Sequence, residues 1–166
     1  MTQVALSGPR SCLSLDQRTI DSLARKCLET MARRRIRMEL PEVRRRYQTD
    51  PCPSGVYCIW SQRPERLIYV GQSRELQSKR VGSLWRLTAH TFARKYAMSL
   101  GLVGSHTHSH ARSLSALSPQ RCRHIESGLA EAYARSLLVG WIEISFGRTE
   151  IEEALIKMHR DPVLNS

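Results

Sequence analysis

The chain has 166 residues, a mass of 19.0 kDa and a hydrophobic fraction of 41%, which suits one globular core and no more. Its 26 Lys+Arg against 15 Asp+Glu give a formal charge of +11 and a pI near 10.1, a balance that favours a polyanionic partner such as nucleic acid. No apolar run approaches the roughly 18 residues of a membrane span, the start MTQVALSGPR lacks the zones of a signal peptide, and the five scattered cysteines form no CxxC or CxxH pair; a cytoplasmic protein without a disulfide framework or cysteine-built zinc site is expected.

After about a dozen loose residues, Ser14 and Gln17 have the spacing of a capping box. Ile20, Leu23, Ala24, Cys27, Leu28 and Met31 then recur at helical spacing and make one apolar stripe. The pattern predicts a helix to about Met38, interrupted by Pro41. Arg33, Arg34, Arg35, Arg37, Arg44, Arg45 and Arg46 make its end and the next segment strongly basic, fit either for a solvated arm or for contact with phosphates. Residues 1–50 thus read as an N-terminal basic helical arm, and residues 51–166 as the domain that follows it.

Gly55-Val56-Tyr57-Cys58-Ile59-Trp60 and Leu67-Ile68-Tyr69-Val70-Gly71 have the aromatic and β-branched composition of strands. The polar run 61–66, with Pro64, separates them as the turn of an antiparallel hairpin. Residues 75–87 read as a helix with Leu76, Val81, Leu84 and Leu87 inward, weakened by Gly82. Residues 92–100 read as another, ended by Gly101. The connection 101–118 holds His106, His108 and His110 and reads as a surface loop, because no acid or cysteine completes a metal site. A helix is predicted from near Ser118 to Leu138, broken by Gly140, and then a strand over 141–146. A last helix carries Ile151 and Leu155 and ends before Pro162. The sum is an α+β domain with a small three-stranded antiparallel sheet flanked by helices.

Gly55-Val56-Tyr57 and Tyr69-Val70-Gly71, with Gly71-Gln72-Ser73, Leu76 and Arg80 after them, and Ile151-Glu152, Leu155, Ile156, Pro162 and Asn165 near the end, resemble the GIY-YIG nuclease family. The resemblance covers residues 53–165 with an insertion near 97–120. It implies a GIY-YIG-like fold and a metal-dependent DNA endonuclease of the restriction, mobile-element or repair kind; the alternative is a catalytically inactive nucleic-acid-binding module. It further implies that Tyr57 positions or deprotonates the attacking water, that Tyr69 lines the same pocket, that Glu152 binds a divalent cation (Mg2+, or another such as Mn2+), and that Gly71 and Asn165 are structural. The site arginine is read as Arg80, because Arg86, the alternative, needs a larger insertion; His90 stands four residues after Arg86 and is the candidate imidazole. Glu153 competes with Glu152 for the metal. Expected DNA contacts are Arg33, Arg34, Arg35, Arg44, Arg45, Arg46, Lys79 and Arg86, and cleavage of both strands implies a homodimer.

The residue types suit the chemistry on their own. A carboxylate suits magnesium, a guanidinium fork suits phosphate, and a phenol or imidazole can handle the proton in phosphodiester hydrolysis.

Overall fold

The computed structural model describes residues 16–49, 51–76, 83–103, 117–159 and 164. The elements run α1 (Gln17–Arg34), β1 (Ile36–Arg37), α2 (Leu40–Thr49), β2 (Gly55–Gln62), β3 (Glu65–Ser73), α3 (Thr91–Ser99), α4 (Pro119–Ser136), β4 (Leu137–Glu143) and α5 (Arg148–Met158).

Asp16 starts α1 by accepting hydrogen bonds from the Thr19 backbone N–H at 3.0 Å and from its hydroxyl at 2.7 Å. The helix does not continue to Met38. It stops at Arg34, and Ile36 and Arg37 turn into a short strand paired with Val139 and Leu138. The Met38 N–H donates to the Leu137 carbonyl at 3.0 Å and closes that junction. Pro41 opens α2 rather than interrupting a helix, since the missing N–H is harmless in a first turn.

The three-stranded, GIY-YIG-like sheet expected from the sequence is overturned by this pairing. Among the described residues the sheet has four antiparallel strands in the order β1-β4-β2-β3, open, with β1 and β3 at its edges. The physical reason is local. Two residues are too few to show a strand period, and only the edge of β4 makes them one.

β2 is the central strand, buried on both faces, as a continuous apolar run should be. Tyr57 and Ile59 join Val139, Trp141, Val43, Phe92, Leu129 and Tyr133 in one core cluster, under α2, α3 and α4. Val56, Cys58 and Trp60 join Ala24, Met31, Ile151 and Leu155 in the other, under α1 and α5. The alternation of β2 therefore distributes helices to both sides.

The structure also moves the start of the last strand. Leu137 follows α4 directly, and Gly140 lies inside β4 instead of breaking a helix. A Cβ at Gly140 would stand 2.6 Å from the Met31 carbonyl oxygen, so the close passage of α1 over the sheet requires glycine there. β4 ends at Glu143, leaving 144–147 as a loop. No helix among the described residues is long and apolar enough to cross a membrane.

Candidate active site

The hairpin sets the site. Tyr57 on β2 pairs in register with Gly71 on β3. A Cβ at position 71 would come within 2.4 Å of the Tyr57 Cζ and Oη, so the absent side chain is the space the phenol occupies. Farther along, the pairing runs Ile59 with Tyr69 and Trp60 with Leu67, which leaves Ile68 as an extra residue in a bulge. Ile68 and Tyr69 consequently pack against the same core cluster, and Tyr69 is turned beside Tyr57 with ring centroids 6.0 Å apart.

His90 reaches this pair from the turn before α3. The Arg86 carbonyl accepts the His90 N–H at 3.1 Å and the Ala89 N–H at 3.2 Å, which shapes that turn. His90 is 1% exposed, 6.2 Å from the Tyr57 ring and 6.1 Å from the Tyr69 ring by centroid. Its Nδ1 caps α3 by accepting the Phe92 N–H at 3.1 Å, and its Nε2 lies 2.9 Å from the Tyr57 Oη. An accepting Nδ1 carries no proton, so the neutral ring bears its hydrogen on Nε2 and donates it to Tyr57. The Tyr57 oxygen is thus a hydrogen-bond acceptor held by a buried donor, and its own O–H points elsewhere.

These side chains open onto a cleft of about 760 Å3. Tyr57, Tyr69, Gly71, His90 and, from α5, Glu152 line it together, although Tyr57 and Glu152 stand far apart in the chain. Ile151, Ala154 and Leu155 bury the adjoining faces of α5, which leaves Glu152 half-buried at the cleft wall. Glu153 is exposed and lines a separate depression with Gln17, Ile20 and Lys157. Of the two competing glutamates, the cleft holds Glu152. Behind it, burial pushes the Cys58 thiol well above its ordinary 9.0, with smaller contributions from Cys27 and Glu152, so this cysteine is a neutral core group.

The cationic candidates divide differently. Arg80, Lys79 and Asn165 lie outside the described residues, as do His106, His108 and His110. Arg86 is exposed and does not line the cleft; its carbonyl, not its guanidinium, serves the site. Arg74 does line it, and among the described residues it is the cleft's only Arg or Lys. Nothing in its sequence context marked it except its place directly after β3, beside the Tyr69 strand. Gln72, Ser73, Glu75, Ser83 and Thr91 complete the polar wall.

In the arm, Arg35 is engaged inside the molecule. Its guanidinium meets Glu65 at 2.6 Å and lies 5.9 Å over the Trp60 ring. Arg33, Arg34, Arg44 and Arg45 are exposed, and Arg46 is half-buried.

The described residues hold no group of three or more His, Cys, Asp or Glu side chains suited to a metal. The donor set at the cleft is an oxygen set, carried by Glu152 and Glu75. Carboxylate oxygens are the donor type that a hard divalent cation takes. Comparison with protein-family models, with curated proteins and with solved structures found no match to this chain.

Proposed function

We propose that the protein is a metal-dependent DNA endonuclease of the GIY-YIG kind. The observation that carries this reading is the convergence of two hairpin phenols, a buried imidazole and the Glu152 carboxylate on one cleft. The chain's charge of +11 suits a polyanionic substrate.

Glu152 would hold Mg2+ or Mn2+. When bound, the ion supplies Lewis-acid polarisation of a phosphoryl oxygen. Tyr57, fixed by the His90 donor, presents an oxygen that orients the attacking water. Tyr69 walls the same space, and Arg74 offers a guanidinium to the phosphate. Cleavage of both strands by so small a site takes two copies, so we include a homodimer formed on DNA in the reading.

Incubating supercoiled DNA with the protein and Mg2+ tests it; nicked or linear product is expected. Glu152→Gln lowers that rate by about two orders of magnitude or more while DNA binding persists. Glu153→Gln stays near the parent rate. Intact DNA across metals and pH, with binding unchanged, would leave a DNA-binding module in place of the nuclease. A Glu152→Gln protein that cuts like the parent would remove the site.

A further inference from the structure

The chain's two phenylalanines have opposite fates. Phe92 is fully buried, whereas Phe146 is 92% exposed; the next most exposed large apolar side chains among the described residues, Leu100 and Leu23, reach 43% and 40%. Phe146 sits in the loop between β4 and α5, and this loop is braced at several points. The Ile144 N–H donates to the Ser54 carbonyl at 3.1 Å, and the Ser54 hydroxyl donates to the Ile144 carbonyl at 3.3 Å. Arg148 Nη1 donates to the carbonyls of Ile144 and Ser145 at 3.3 and 3.0 Å. Gly147, at φ 73°, then turns the chain into α5. A full phenyl face is therefore held out in water by a loop tied to Ser54, just ahead of β2, and to Arg148 at the start of α5.

The residues flanking the loop are linked to the cleft wall. Gly55 pairs with both Glu143 and Ser73, so the last residue of β4 and a cleft-lining residue lie in one row across the sheet. Just past the loop, the Thr149 hydroxyl accepts from Nε2 of Gln72, another cleft-lining residue, at 3.0 Å.

We infer that Phe146 is a base-stacking residue, which receives an unstacked nucleotide base of the nucleic acid whose backbone lies at the Tyr57–Glu152 cleft. An aromatic face beside a groove for phosphates on a strongly basic chain fits a base, because stacking is tolerant of sequence and adds to backbone electrostatics. The inference rests on the nuclease reading for where the backbone runs, and on Phe146 itself for the stacking.

The test uses the full chain carrying Glu152→Gln, so that the DNA stays intact, with a short fluorescein-labelled DNA single strand and the same strand in a fully paired duplex as probes. Phe146→Ala is expected to weaken single-strand binding roughly ten-fold, with a much smaller effect on the duplex, and Phe146→Trp is expected to restore it. The new indole should become shielded from acrylamide when the single strand binds. Equal single-strand affinity of the Phe146→Ala and parent proteins would overturn the inference. So would a fall in the sedimentation coefficient of the free protein on Phe146→Ala, which would make the ring a contact between copies of the chain. The two readings fail separately. Loss of binding in Phe146→Ala, in a protein whose parent never cuts DNA, removes the nuclease and keeps the stacking residue; a parent that cuts, with Phe146→Ala binding alike, does the reverse.

Discussion

At the scale of single residues, the site depends on one missing side chain and one tautomer. Gly71→Ala puts a methyl group where the Tyr57 ring stands, and the backbone of two paired strands cannot withdraw from it. The expected cost is about 1–3 kcal/mol in chemical denaturation, with cleavage lost as the phenol is displaced. Tyr57→Phe keeps the ring packing and deletes only the oxygen that His90 serves. It should cost about 1 kcal/mol of stability, yet lower the cleavage rate on the order of a hundredfold. A variant that loses stability without losing activity would deny Tyr57 its role. The two tyrosines and Glu152 were legible as residue types in order along the chain. Arg74 was not, since a lone arginine after a strand carries no pattern until a cleft forms beside it.

At the scale of elements, legibility followed the length of the signal. The hairpin showed in sequence because both strands are longer than a period of two residues and flank a proline turn. Its bulge did not show, because Ile68 is as apolar as its neighbours, and only the pairing register reveals it as the extra residue that turns Tyr69. The boundary between α4 and β4 was misplaced because Leu137 and Leu138 extend the helical apolar spacing, while the edge of β2 recruits them as strand. The start of α1 makes a pH prediction. Hydrogen bonds from the Thr19 hydroxyl and then the Thr19 N–H hold the Asp16 carboxyl below its ordinary 3.8. A folded-state value below the unfolded one gives stability that is present above pH 3.8 and lost as pH falls through the folded-state value. Asp16→Asn keeps the cap acceptor and cannot titrate, so the dependence of unfolding free energy on pH in that acidic window should flatten in the variant.

At the scale of the whole molecule, charge and topology have separate consequences. If Arg44 and Arg45, both exposed on α2, lie along a DNA backbone, replacing both with Gln should weaken binding to all sequences alike. The slope of log affinity against log salt should fall by roughly 0.9 for each phosphate that the variant no longer neutralises. An unchanged slope would place the DNA path elsewhere on the surface. The topology bears on how the molecule could be divided. Because β1 comes from the N-terminal region yet covers the outer side of β4, a polypeptide beginning at residue 51 would leave the β4 backbone uncapped and strip α1 from Gly140. Such a fragment would seek a replacement strand from its neighbours and scatter light as it assembled, so what looks like a detachable extension acts as a guard against self-templating.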